Sequence, residues 1–169
     1  EQYPFSCSYW LKKGRKVPEK FVKFSVVRYG NVAGSRGSIL PKWQEMITQG
    51  AKSLPITDLS MTRFWMSLGK AVDFVLEAFS AMKGGEIFIP KIPSIKIKNL
   101  IHAISNNQEY ELIGIRPGEK LHEVMIPKEE SLNCIEMKDF YILQPMLSWW
   151  DRKKIKPDIK KYGKKIILP

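Results

Sequence analysis

The stretch Arg28-Tyr29-Gly30-Asn31-Val32-Ala33-Gly34-Ser35-Arg36-Gly37-Ser38 most narrows what this chain can fold into. An apolar run, Phe24-Ser25-Val26-Val27, leads into it, and a helical pattern follows from Pro41. That order is strand, glycine-rich loop, helix. Three glycines let a backbone take positive φ and approach a neighbour closely. Arginines flank and enter the loop, and the helix behind it begins with unpaired N–H groups. Together these suit an anionic ligand, most simply a phosphate. Arg63 and Arg116 also border apolar runs. The three arginine sites are expected to converge on one diphosphate-bearing ligand.

The remaining periodicities place elements around that loop. Phe21 to Arg28 reads as a buried strand. Pro41 suits a first helical turn, Trp43, Met46 and Ile47 share a face, and Gly50 is a stop. Leu54 to Ile56 reads as extended, and Met61 to Met66 as a strand on its aromatic content. Ser67 can cap the next helix, whose Ala71, Val72, Val75, Leu76 and Phe79 form an expected core-facing stripe. Lys83-Gly84-Gly85 ends it, and a strand from Glu86 to Ile89 stops at Pro90. Ile95 to Ile97 reads as extended, followed by a short helix around Leu100, Ile101 and Ile104, with His102 a boundary residue. Tyr110 to Ile115 is an expected strand, Leu121 to Met125 a short helix, and Cys134 to Met137 and Phe140 to Leu143 two further strands. Strands alternating with helices imply an α/β protein. Residues 1–20 read as an irregular segment, 21–145 as the folded part, and 146–169 as a basic tail.

Composition limits the function classes. In 169 residues, a hydrophobic fraction of 44% and a charged fraction of 27% are those of a globular protein. No apolar run reaches 18 residues, so no membrane span is expected, and the first ten residues lack the layout of a secretory signal. Cys7 and Cys134 show no metal-ligand spacing and suit a reducing cytoplasm; no metal site is expected. The net charge of +11 comes largely from lysine, 22 of 28 basic residues, spread along much of the chain. That distribution fits a solvated face or an anionic small ligand better than nucleic acid, since no aromatic-interleaved basic motif appears. Tyr9 and Lys13 stand four apart, as a catalytic Tyr–Lys pair on a helix would, but a bare pair of this spacing is common.

Phe24 to Val32, continuing through Gly34-Ser-Arg-Gly-Ser38, resembles the extended short-chain dehydrogenase/reductase superfamily. More narrowly, it resembles the inverting UDP-N-acetylglucosamine 4,6-dehydratases of bacterial surface-sugar and flagellin-glycan synthesis. Pro55 to Asp58, Met61 to Trp65, Gly84 to Phe88, Pro90 to Ser94 and Gly114 to Pro127 fit in the same order. The resemblance covers roughly Phe21 to Pro145. It implies the C-terminal, substrate-binding portion of an extended Rossmann-like α/β fold, with the N-terminal dinucleotide-binding half, its glycine fingerprint and its Tyr-x-x-x-Lys helix absent. No catalytic residue is therefore assigned, and a lone portion is expected to be inactive.

What the family does is implied in the same way. Its members use NADP to oxidise C4 of the sugar, eliminate water across C5–C6, and return hydride to C6. Tyr29 and Gly30 match positions near the nicotinamide ring. Asn31 matches a position that contacts the substrate near its diphosphate, Arg36 a substrate-loop position, Arg63 an arginine facing the nucleotide, and Arg116 and Glu119 a pair holding phosphate and ribose. The implied partner is a UDP-sugar, with no nucleic acid or membrane, in a cytoplasmic homo-oligomer. A UDP-sugar epimerase of the same superfamily, or a non-enzymatic basic module, are the alternatives.

Overall fold

The computed structural model describes residues 22–104 and 108–145, with the backbone of Lys164 and Lys165. The Tyr9/Lys13 pair, Cys7, the 1–20 segment and most of the basic tail lie outside the described residues. In chain order the elements begin with β1 (Val26–Val27), β2 (Asn31–Val32), α1 (Ile39–Thr48), β3 (Ser53–Ile56) and β4 (Thr62–Met66). They continue with α2 (Leu68–Ala81), β5 (Ile87–Pro90), β6 (Ser94–Lys96), α3 (Ile97–Ile104) and β7 (Glu109–Leu112). Last come α4 (Lys128–Ser131), β8 (Cys134–Glu136), β9 (Phe140–Leu143) and β10 (Lys164–Lys165). The chain divides into two compact units. The loop unit is Tyr29–Asp73 with Ile92–Met125; the hairpin unit is Glu1–Arg28, Phe74–Lys91 and Ile126–Pro169. The division falls within α2.

In the loop unit, β2 runs parallel to β4, and β6 joins β4 antiparallel on its other side. A separate parallel pair is formed by β3 and β7. Trp43, Leu54, Ile56, Met61, Trp65 and Leu100 are buried together as the core, which α1 and α3 help to cover. Pro41 sits in the first turn of α1, where its missing N–H costs nothing. At the other end Gly50 takes φ +81° and donates to Ile47 O, while Ala51 N donates to Met46 O. This left-handed glycine cap satisfies carbonyls the helix leaves unpaired. Gly30 is required for a different reason. A Cβ there would stand 2.5 Å from Phe64 Cβ and 2.6 Å from its carbonyl oxygen, so the glycine admits β4. Positive φ belongs to Gly34 and Gly37, at +75° and +77°.

In the hairpin unit the strand order is β1-β5-β9-β8-β10. Met137 N donates to Phe140 O and closes the β8–β9 hairpin. Phe140 packs edge-on against Phe74 with centroids 5.9 Å apart, and lies 6.0 Å from Phe88. Glu86 is 1% exposed and fully engaged: its carboxylate accepts from Ser25 Oγ, Lys83 N and Gly84 N, each at 2.8 Å. It ties the α2–β5 turn, with Gly84 at φ +107°, to the lead-in to β1. The backbone of Lys164 and Lys165 pairs with β8, so that part of the expected tail adds a strand.

Three expectations need correction. Phe21 to Arg28 is not a buried strand over its described length: only Val26–Val27 joins the sheet, and Val22, Phe24 and Val26 are more than half exposed. β1 is an edge strand, with a neighbour on one side only among the described residues. The stripe on α2 is also displaced. Ala71, Phe74 and Ala78 are buried, whereas Val72, Val75, Leu76 and Phe79 are exposed. The helix carries two apolar faces, and the periodicity alone could not say which one meets the sheet. Finally, Leu121 to Met125 is not a helix. Leu121 O accepts from Thr62 N at 3.1 Å and His122 bridges to Thr62, so the start of the segment is held beside the first residue of β4. The short helix comes later, as α4.

Candidate functional site

The site belongs wholly to the loop unit. β4 is central in its sheet, and side chains alternate along it. Met61, Arg63 and Trp65 therefore point the same way, and all three line one cavity of about 220 Å³. Asn31 enters the same cavity because parallel pairing sets it opposite Trp65. The glycine loop then carries the chain round to α1, whose first residues, Ser38 and Ile39, form another wall. Glu119, after the turn made by Gly118 at φ +83°, closes a further side. Trp43, Ile56 and Met61 supply apolar lining drawn from the core.

Arg63 is held firmly in place. Its Nη1 donates to Thr62 O at 2.8 Å and Leu121 O at 3.2 Å, and Nη2 donates to Glu119 Oε1 at 3.4 Å. Glu123 lies 4.0 Å from Nε. The side chain is 12% exposed. The 3.4 Å contact to Glu119 is long, and Glu119 also accepts from Arg116 N at 3.3 Å, so this carboxylate can be drawn off by a competing group. Nearby, Asp58 is held below the usual carboxylate range by the hydroxyl and then the amide of Ser60.

Two of the lining residues each hold one polar atom that is shut off from solvent and has no hydrogen-bond partner: Ser38 Oγ and Trp65 Nε1. Ser38 is the residue before α1 and has the extended backbone of an N-cap, yet its hydroxyl makes no capping bond. Trp65 is only 6% exposed. Leaving a buried donor unpaired costs about 1–3 kcal/mol.

Of the residues singled out in the sequence, Asn31, Arg63 and Glu119 are brought together. Arg36 and Arg116 are exposed and do not line the cavity; Arg116 contributes its backbone amide to Glu119. Arg28 belongs to the hairpin unit, where it pairs with Glu130 at 2.5 and 3.3 Å. That hydrogen bond raises the guanidinium's pKa against its partial burial. The expected gathering of several guanidinium groups is thus reduced to one, joined by a helix start and neutral donors. Ser38, Trp65 and Thr57 were missed. The signal for Trp65 was available: it lies two residues after Arg63 on a strand, hence on the same face. Among the described residues no group of three His, Cys, Asp or Glu is placed to hold a metal ion, and no helix is long and apolar enough to cross a membrane.

Comparison with known proteins adds four findings. Residues 7–145 match the family model described as "Polysaccharide biosynthesis protein". The chain is 54% identical over 134 residues to a UDP-N-acetylglucosamine 4,6-dehydratase (inverting) of Campylobacter jejuni, covering 79% of this chain and 40% of the relative. It is 43% identical over 120 residues to a UDP-glucose 4-epimerase of Rickettsia rickettsii, covering 69% of this chain and 35% of the relative. Among solved structures, Pen from Bacillus thuringiensis superposes with a TM-score of 0.68 at 40% identity, over 74% of this chain and 41% of that one. The chain therefore spans about two-fifths of the length of such relatives.

Proposed function

The chain belongs to the polysaccharide biosynthesis protein family, with the α/β fold of extended short-chain dehydrogenase/reductases, and from that premise we propose that it forms the nucleotide-sugar-binding portion of an inverting UDP-N-acetylglucosamine 4,6-dehydratase. The observation that carries this reading is the meeting of Asn31, Arg63 and Glu119 in one donor-rich cavity beside the start of α1. The cavity is smaller than the roughly 300–1,000 Å³ of a site that encloses a whole small ligand. It suits one part of a nucleotide sugar, and the diphosphate is the part that matches its donors.

In this reading the Asn31 amide donates to a phosphate oxygen and the Arg63 guanidinium neutralises the diphosphate charge. Glu119, released from its long contact with Arg63, accepts from ribose hydroxyls. For the family's NADP the residues present do not make a site. Gly30 is explained by the close approach of Phe64, and Tyr29 offers one exposed ring.

Isothermal titration of the chain with UDP tests the proposal. Saturable heat that Arg63→Ala greatly weakens is expected; no heat at millimolar nucleotide sinks it. A second reading, a UDP-sugar epimerase, is favoured by the Rickettsia relative. Both would grip UDP alike. Product analysis of a full-length protein carrying this portion separates them: a 4-keto-6-deoxy sugar against a simple epimer.

A further inference from the structure

We propose that His122 is a positioning residue for Arg63: its ring pins the segment 119–123 to Thr62, the first residue of β4, and the segment in turn orients the guanidinium in the cavity wall. This rests on the nucleotide-sugar reading above and adds to it a pair, His122 and Thr62, that lies outside the cavity.

The segment has little else to hold it. Residues 120–123 are exposed, and within 119–123 only His122 is bridged to a strand, opposite Thr62. Yet this segment supplies most of the acceptors around Arg63. Leu121 O accepts from Nη1 at 3.2 Å and Glu119 Oε1 from Nη2 at 3.4 Å, with Glu123 4.0 Å from Nε. Thr62 O fixes one guanidinium nitrogen at 2.8 Å. The orientation of the plane comes from Leu121 O and the two carboxylates.

A diphosphate that draws Glu119 off Arg63 removes one of these ties at the moment the guanidinium is used. Two ties do not involve the arginine side chain: Thr62 N donates to Leu121 O at 3.1 Å, and Thr62 Oγ1 stands 2.8 Å from His122 Nδ1. The first is backbone to backbone and asks nothing of the residue at 122. The second needs a ring nitrogen facing a hydroxyl. A hydroxyl can donate or accept, so the bond forms with either tautomer of the ring. Side chains alternate along β4, so Thr62 projects to the face opposite Arg63. Neither Thr62 nor His122 lines the cavity. A ligand can therefore enter without breaking the clip, and the clip keeps the segment in place while Glu119 changes partner.

Isothermal titration with UDP and proton–nitrogen NMR of the Arg63 Nε–H, both on the 169-residue chain, test the proposal. Thr62→Val and His122→Leu should each weaken UDP about 5-fold, with an intact melt, since the bond is exposed. The double variant should be no weaker than either single one, because both remove the same bond. Thr62→Ser keeps the hydroxyl and should restore most of the affinity lost in Thr62→Val. Without ligand, the Arg63 Nε–H should exchange with water faster in Thr62→Val than in the wild type. Unchanged UDP affinity in both single variants overturns this inference and leaves the nucleotide-sugar reading standing. A double variant about 25-fold weaker, the product of two independent losses, overturns it as well. So does a loss of affinity with unchanged Nε–H exchange, since the pair would then act otherwise than through Arg63. Failure of the wild-type chain to bind UDP overturns the nucleotide-sugar reading, and the exchange of the Nε–H still decides whether the clip holds Arg63.

Discussion

Glu86 in the hairpin unit and Trp65 in the loop unit are both polar side chains shut away from water, and they are treated in opposite ways. The Glu86 carboxylate accepts three hydrogen bonds, two of them from backbone amides of the turn it closes. The Trp65 indole makes none. A buried polar group that is fully paired holds the fold together. One left unpaired is a cost of about 1–3 kcal/mol that the packing of the core offsets. The contrast sets a fully paired buried group in the first region against the proposed binding cavity in the second.

The contrast can be broken most sharply through packing. Phe74→Ala removes a ring buried against Phe140 and should destabilise the chain by about 3–5 kcal/mol in a denaturant melt. Phe79→Ala, on the exposed face of the same helix, should stay within about 0.5 kcal/mol. Equal losses would mean that the exposed face is covered. Glu86→Ala leaves two turn amides and the Ser25 hydroxyl without their acceptor and should cost about 3 kcal/mol, with UDP affinity of the folded fraction unchanged. A fall in affinity would end the division of labour drawn here.

Arg63→Ala should do the reverse, weakening UDP by about 2 kcal/mol, or about 30-fold, with a smaller loss of stability. The smallest effect concerns Cys134, which burial pushes from 9.0 to about 11. The fold favours its protonated thiol, so that contribution is intact below pH 9. It declines as pH rises from about 9 towards 11, because the unfolded chain ionises first. Stability measured across that range should fall less steeply in Cys134→Ala than in the wild type.

Much of the architecture was legible in local pattern. Pro41 and Gly50 bracket α1, Ser67 Oγ accepts from Lys70 N at the start of α2, and the Cys134 and Phe140 strands form a hairpin. Each depends on chemistry within a few residues. The α2 stripe and the Leu121 segment were misread because their burial is decided by partners far along the chain.

By itself the sequence determined the longer helices and most of the strands, the glycine loop ahead of α1, and a set of polar residues with phosphate chemistry. Backbone conformation, capping and side-chain type are local properties, and an amino-acid string carries them directly. Only the tertiary structure decided which of those residues share a cavity. It kept Asn31, Arg63 and Glu119, left Arg36 and Arg116 outside, and added Trp65 and Ser38. The reason is that strand pairing and register set which side chains face one another. Those depend on contacts between distant segments that no single stretch of the chain encodes.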